Sequence, residues 1–165
     1  MVHFSELFAG GASARVLEHF LENPSEKVSA ASLVRKTKLS KKTVFDALKK
    51  YSFLLNRETV GRAILHSLDL SNPITRSLKV LLTVSSLVGE IPKDFEGQVF
   101  LFGSAARGED TEKSDWDALV ISTKRLSLKN PRIKPVFFNP LEYSALARKD
   151  KAFFDSMEKN KIRLR

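Results

Sequence analysis

Apolar residues in the first seventy positions recur first at helical and then at strand spacing. Val16 and Phe20 lie four positions apart, as do the leucines that follow each of them, so these side chains would share one buried helix face. Ser40 is a suitable N-cap for a later helix, and Gly61 separates two strand-like runs. The pattern predicts helices at 12–23, 29–37 and 41–51, followed by strands at 53–59 and 63–70.

The pattern after residue 70 predicts a second, mixed set of helices and strands. Pro73 is suited to the first turn of a long helix. The apolar stripe of this helix, expected to pack either in a core or between the domains, consists of Ile74, Leu78, Leu81, Ser85 and Val88. Further strands are predicted at 98–102, 115–121, 133–138 and 162–164, with helices starting near 140 and 153. The fold class is therefore predicted as α+β, with one domain at 1–70 and another at 71–165.

The composition is that of a soluble globular protein of one or two small domains. Hydrophobic residues make up 42% of the 165 positions and charged residues 28%. No apolar run is long enough to span a bilayer, and the start of the sequence lacks the basic segment of a secretory signal. The lack of cysteine excludes disulfides, thiolate metal sites and a catalytic thiol. We therefore expect a cytoplasmic protein with no membrane partner.

Basic residues are concentrated in the amino-terminal part of the chain. Between Lys27 and Arg62, ten Lys or Arg residues stand against two acidic ones, a net charge of +8 compared with +9 for the whole chain. Such a concentration favours a nucleic-acid partner, with double-stranded DNA expected and RNA as the alternative.

The three helices and the hairpin resemble a winged helix-turn-helix domain. The resemblance implies that the third helix lies in the major groove and that the hairpin meets phosphates. The residues that it places against DNA are Lys41, Lys42, Phe45, Lys49, Arg57 and Arg62. A solvated helix face, or a module for docking another protein, is the alternative interpretation of the same lysines.

Residues 100–121 carry the main chemical motif, an apolar strand, a Gly103-Ser104 turn, a polar turn and a strand that opens with Asp-Trp-Asp. Side chains alternate along a strand, so Asp115 and Asp117 would point to one side while Trp116 faces the core. Mg²⁺ takes one or two carboxylates together with substrate phosphates. Glycine lets a phosphate approach the backbone amides of the turn. The motif therefore predicts a metal and nucleotide site.

The spacing of Gly-Ser and Asp-x-Asp resembles the signature of the polymerase-β-like nucleotidyltransferase superfamily, and its minimal members in particular. Arg107-Gly108 and Ser114 extend the resemblance, which covers about 72–165. The resemblance implies that Asp115 and Asp117 are the catalytic residues and hold Mg²⁺ or Mn²⁺. The residues implied to bind a nucleoside triphosphate, with ATP expected, are Gly103, Ser104 and Arg107. Arg107 is equally suited to capping the local turn.

The sequence departs from this family at one position. Active members carry a third carboxylate on the following strand, in a local pattern that places Val136 at that point. No Asp or Glu occurs from Thr123 to Leu141, and losing this ligand would weaken activation of the attacking hydroxyl by an amount on the order of several kcal/mol. The substitutes considered are Glu142, Asp110 and Glu112. Their alternative roles are a helix-start acid for the first and solvated turn acids for the others.

Two functions follow as hypotheses. The first is an enzyme that transfers a nucleotidyl group from a nucleoside triphosphate to a hydroxyl of a protein or small molecule, coupled to DNA binding. Some small relatives do this as antitoxins that modify a HEPN-type toxin, which makes such a toxin an expected partner. The second is a non-catalytic DNA-binding regulator with a degenerate nucleotidyltransferase domain. The intact Gly-Ser and Asp-x-Asp parts favour the first hypothesis, and the missing acid favours the second; a homodimer is compatible with both.

Overall fold

A computed structural model describes residues 11–165. The start of the sequence, on which the expectation about a secretory signal rests, lies outside the described residues. The chain divides into two compact units, one ending at Leu82 and the other starting at Thr83. Among the described helices, none is both long enough and apolar enough to cross a membrane.

The amino-terminal unit contains three helices and a three-stranded antiparallel sheet. The helices are α1 (Ala12–Glu22), α2 (Ala30–Thr37) and α3 (Lys41–Lys50). The strands are β1 (Val28–Ser29), β2 (Leu55–Val60) and β3 (Ala63–Leu68), in the order β1-β3-β2. The predicted helices and hairpin are present, whereas β1 was not predicted because two residues are too few to show an alternating pattern.

Two serine caps fix where α2 and α3 begin. The Ser29 hydroxyl accepts a hydrogen bond from the backbone N–H of Ser32, and the Ser40 hydroxyl accepts one from Thr43. These bonds satisfy amide groups that a helix start leaves free. The buried faces of the helices then form one apolar core, whose largest fully buried members include Phe20, Leu33, Leu54, Val16 and Val44.

The long helix α4 (Pro73–Glu90) contains the boundary between the units. The sequence predicts a boundary after residue 70, and the compact units divide between Leu82 and Thr83, with Leu78 and Leu82 packing against the amino-terminal core. The apolar stripe predicted along α4 is not buried throughout. Its members Ile74, Leu81 and Val88 are exposed, since the buried leucines of this helix are the neighbouring Leu82 and Leu87.

The carboxy-terminal unit is built on a four-stranded mixed sheet in the order β6-β5-β4-β7. Its elements are β4 (Gln98–Phe102), α5 (Gly103–Ala106), β5 (Trp116–Ile121), β6 (Ile133–Phe138), α6 (Pro140–Lys149), α7 (Lys151–Glu158) and β7 (Ile162–Arg163). Strand β5 runs antiparallel to β4 and parallel to β6. One sheet face packs against α6 and α7 through Leu146 and Met157, and the other packs against Leu87 of α4. The predicted α+β class is confirmed.

Candidate active site and basic surface

The two motif carboxylates lie at the start of β5. Asp117 is the second residue of the strand and pairs with Phe102 at the end of β4, while Asp115 directly precedes the strand. Trp116 lies between them in sequence, is only 5% exposed and packs with Leu101 in the core. Alternation along the strand therefore directs both carboxylates away from the core that holds the tryptophan, as the sequence predicts.

The electrostatics of this pair favour a bound cation. Burial, together with the negative charge of Asp115, raises the pKa of Asp117. A divalent cation beside the pair would offset the charge that opposes ionisation of Asp117, and Mg²⁺ is satisfied by one or two carboxylates when phosphates supply the other ligands. The pair therefore fits one Mg²⁺ or Mn²⁺. Within residues 11–165 no group of three or more His, Cys, Asp or Glu side chains is placed to hold a metal.

Gly103 brings the Gly-Ser turn against this pair. It follows β4 directly and adopts φ +74°, a conformation that favours glycine. A Cβ atom at this position would lie 2.5 Å from Oδ2 of Asp117, closer than any real contact allows. The backbone carbonyl of Ser104 then closes the turn by accepting from the amides of Arg107 and Glu109. The two parts of the motif therefore meet because the first residue of the turn has no side chain.

Arg107 is engaged within its own turn. Its Nη1 donates to the carbonyl oxygen of Gly103 at 3.0 Å, and its Nε donates to Oε2 of Glu109 at 2.7 Å. This is the turn-capping arrangement that the sequence analysis considered, and it stiffens the segment that carries Gly103 and Ser104. A contact between Arg107 and a triphosphate stays a prediction.

Arg132, which the sequence analysis did not single out, holds the polar turn that leads into β5. Its Nη2 donates to Oδ2 of Asp110 at 3.1 Å and to the carbonyl of Thr111 at 2.7 Å. Its guanidinium also lies 4.4 Å from the centre of the Trp116 ring, within cation–π distance. The residue immediately before β6 therefore fixes the loop from which Asp115 emerges. No local pattern signals such a contact, because its partners lie about twenty residues away in sequence.

Asp110 belongs to this cluster and is buried, which corrects its interpretation as a solvated turn acid. Its Oδ2 also accepts from Nε1 of Trp116 at 3.2 Å. Because the Trp116 ring faces the core, Asp110 is directed to the side of the sheet opposite Asp117. Asp110 is therefore not placed to act as a third metal ligand. Glu112, the other acid of the turn, is exposed, as expected.

Glu142 serves as a helix cap. Its carboxylate accepts from the backbone N–H of Asn139 at 2.9 Å, and the Asn139 side chain accepts from the N–H of Glu142 at 2.8 Å. This reciprocal capping box starts α6 at the carboxyl end of β6. Asp117 lies at the opposite end of the parallel pair formed by β5 and β6. Glu142 therefore has the capping role and does not replace the missing acid.

The pairing of β5 with β6 changes which residue lies beside the carboxylates. Asp117 pairs with Lys134, whereas Val136 pairs with Leu119 and joins the apolar cluster around it. The Nζ of Lys134 lies 3.9 Å from Oδ1 of Asp115. The motif-based placement of Val136 opposite the acids is therefore corrected by two residues, since Lys134 is the β6 neighbour of Asp117.

Comparison with protein families gave a match in the carboxy-terminal segment. Residues 83–161 match the family model of the nucleotidyltransferase domain. The matched segment is just under half of the chain, and it contains the Gly-Ser turn, both carboxylates and Lys134. The match supports the nucleotidyltransferase part of the resemblance and a general role in nucleotidyl transfer. Comparisons with curated proteins and with solved structures gave no match.

The residues predicted to touch DNA lie outside the segment that matches the nucleotidyltransferase family, on α3 and on the hairpin of β2 and β3. All of them are exposed, including Phe45, whose ring is large and apolar yet 54% accessible. Four of them, Phe45, Lys49, Arg57 and Arg62, line one cleft of about 750 Å³. The other two, Lys41 and Lys42, form the start of α3 and lie outside the cleft lining.

The cleft is basic. Its lining residues, all within the described range, include no Asp or Glu. Half-buried His66 also lines it, and burial together with the nearby charge of Arg57 lowers the pKa of this histidine. A positive, concave surface beside an exposed helix matches the charge of a nucleic-acid backbone.

Proposed function

We propose that the nucleotidyltransferase domain transfers a nucleotidyl group from a nucleoside triphosphate, with ATP as the expected donor, to a hydroxyl of a protein or small molecule. The observation that carries the proposal is the contact between Gly103 and the Asp117 carboxylate. It supports a site in which a phosphate-accessible turn and a metal-binding pair lie side by side. Asp115 and Asp117 would hold Mg²⁺ or Mn²⁺, which when bound would stabilise the negative charge of the phosphates.

The remaining residues of the site act by positioning. Gly103 and Ser104 would bind phosphate oxygens through their backbone amides, and Arg107 keeps their turn in one conformation. Arg132 keeps the loop before Asp115 in place through its bonds to Asp110 and Thr111. Preorganised groups of this kind stabilise developing charge without having to reorganise during the reaction.

The test is an incubation with ATP labelled in the α-phosphate, Mg²⁺ and the protein encoded beside this one as acceptor. We expect label on the acceptor, and we expect its loss in the Asp115→Asn, Asp117→Asn double variant. Asp155→Asn is the control, because Asp155 is an exposed carboxylate of the same domain. Calorimetric titration of Mg²⁺ with ATP reports binding separately. Unchanged metal-dependent binding in the double variant would remove the assignment of the metal site.

We also propose that the amino-terminal unit is a winged helix-turn-helix domain that binds double-stranded DNA. The net charge of +8 between Lys27 and Arg62 and the basic cleft between α3 and the hairpin support this proposal. Gel-shift titrations on mixed-sequence duplexes at several salt concentrations test it. No DNA affinity at low salt would leave RNA or a protein as the partner of this surface.

The acceptor that suits both units together is a HEPN-type toxin, with the chain acting as a cytoplasmic antitoxin that also controls its own operon. The second candidate function is a DNA-binding regulator whose nucleotidyltransferase domain binds a nucleotide without transferring it. Lys134 beside Asp117, where an acid would be needed for full activity, favours this alternative. Metal-dependent ATP binding without label transfer to any acceptor would distinguish the regulator from the enzyme.

A further inference from the structure

Lys134 places a positive charge beside the motif carboxylates. Parallel neighbours in a sheet direct their side chains to the same face, so its pairing with Asp117 puts Lys134 on the face of the acid pair. The Lys134 ammonium also lies within ion-pair distance of Asp115. In the part of the chain that the structure describes, no other basic side chain forms an ion pair with either carboxylate.

This ion pair is poorly suited to stabilising the fold. The side chains of Lys134 and Asp115 are 57% and 58% exposed, and their charged atoms are 3.9 Å apart. Exposed pairs of this kind contribute little to the free energy of folding. The backbone position of Lys134 is nevertheless well determined, because all six residues of β6 pair with β5 and the preceding residue, Ile133, is buried.

We propose that the Lys134 ammonium replaces a second divalent cation, so that the nucleotidyltransferase domain binds its nucleotide with one metal ion and contacts the phosphates through Lys134. This inference rests on the proposed function of the carboxylate pair. The one metal ion belongs to Asp115 and Asp117, and the ammonium supplies the second positive charge on the same face.

The chemistry of an ammonium group and of a divalent metal ion explains why one can take the place of the other here. A second divalent ion beside Asp115 would need another anionic ligand and would be repelled by an ammonium at this distance. An ammonium is a compact charge with three hydrogen-bond donors, which suits phosphate oxygens. Unlike a metal ion, it does not coordinate the acceptor hydroxyl, so it lowers the pKa of that hydroxyl far less. Lys134 would therefore assist binding of the donor nucleotide with little activation of the acceptor.

The test counts bound Mn²⁺ by electron paramagnetic resonance in the presence of an ATP analogue with an α,β-methylene bridge, which cannot be transferred. We expect one Mn²⁺ per chain in the wild type and in Lys134→Met, and two in Lys134→Glu. We also expect Lys134→Met to bind the analogue roughly tenfold more weakly, since it loses a charged phosphate contact. The matched controls are Lys124→Met and Lys124→Glu, because Lys124 is similarly exposed and pairs with Glu96 in the same unit. These controls should leave both measurements unchanged.

The outcomes separate this inference from the function on which it rests. Two Mn²⁺ in the wild type, one in Lys134→Glu, or unchanged nucleotide affinity in Lys134→Met would each overturn the role of Lys134. Absence of both Mn²⁺ and nucleotide binding in the wild type would instead overturn the proposed function of the domain. Thermal unfolding of each variant checks that the exposed substitutions leave the fold intact.

Discussion

The two units differ in how their candidate functional residues are arranged: they are dispersed over a surface in the first and held by close contacts in the second. In the amino-terminal unit, six exposed residues are spread over one helix and one hairpin, and no single contact determines their arrangement. In the carboxy-terminal unit, two carboxylates depend on a glycine with positive φ and on a lysine from a neighbouring strand. The first surface should therefore lose function gradually as residues are replaced, whereas the second site should fail at single substitutions.

The largest effect is expected for Gly103→Ala. The new Cβ would clash with the Asp117 carboxylate, and alanine would have to adopt the positive φ of residue 103. Together these effects should lower the free energy of unfolding by about 3 kcal/mol. We expect a lower free energy of unfolding and a loss of Mn²⁺ binding. Fluorescence of the single tryptophan measures the unfolding. The control is Gly61→Ala, which has φ +58° but no atom within 4 Å of the added Cβ. It should cost only about 1 kcal/mol, measured by circular dichroism. Equal costs at the two positions would contradict the contact with Asp117.

The next effect concerns Val136→Asp, which tests the strand pairing. Because Val136 packs with Leu119 in an apolar cluster, a carboxylate there should destabilise the domain by about 2 kcal/mol and add no metal ligand. Lys134→Met, at an exposed position, should stay within about 0.5 kcal/mol of the wild type. Denaturant unfolding measures both variants. Tighter Mn²⁺ binding in Val136→Asp would mean that a side chain at 136 reaches the acids, which the pairing of Asp117 with Lys134 does not predict.

A smaller effect is expected for each lysine of the DNA surface. Replacing Lys41, Lys42 or Lys49 by alanine should weaken DNA binding by about 1 kcal/mol and flatten the slope of log affinity against log salt by about 0.9. The triple variant should flatten the slope by about 2.7 if all three lysines contact phosphates. Lys50→Ala is the control, because the Lys50 ammonium lies over the Tyr51 ring. If one lysine alone accounted for the whole loss of DNA affinity, the amino-terminal surface would not lose function gradually, and the contrast with the carboxylate site would be wrong.

The smallest effect is a stabilisation. Burial and Asp115 raise the pKa of Asp117, so ionisation of Asp117 opposes folding in the metal-free protein. Asp117→Asn should therefore increase the unfolding free energy at neutral pH by about 0.5 kcal/mol, given strong solvent screening. The advantage should appear as pH rises above the unfolded pKa and vanish near about pH 3, where the wild-type carboxyl is protonated in both states. Thermal unfolding of the metal-free proteins measures this stabilisation at neutral pH and at about pH 3. An equal stabilisation at the two pH values would show that ionisation of Asp117 is not its cause.

Much of the secondary structure could be predicted from the sequence, because each element carries its own local signal. Ser40 started the third helix as expected, and Gly61 lies at the hairpin tip. The buried position of Trp116 followed from strand alternation. Local signals were insufficient where two faces of an element are both apolar. In α4, Leu81 and Leu82 are adjacent leucines, and only packing decides that Leu82 is the buried one.

The candidate site was predictable in its motif and not in its surroundings. Gly103, Asp115 and Asp117 are recognisable because their chemistry requires those residue types at close spacing. Lys134 could not be recognised, because residues 122–132 separate β5 from β6 and leave their register undetermined by any turn. Arg132 was missed for the same reason, since its partners become neighbours only after the strands pair.

The close approach of Gly103 to Asp117 links the evolutionary histories of two positions. An added Cβ at residue 103 would force the Asp117 carboxylate to move, so a side chain at 103 costs least in a chain with a shorter side chain at 117. The positive φ of residue 103 favours glycine whether or not the acid is present. Related chains that have lost the glycine should therefore have lost the acid as well, whereas a chain that has lost only the acid can keep the glycine.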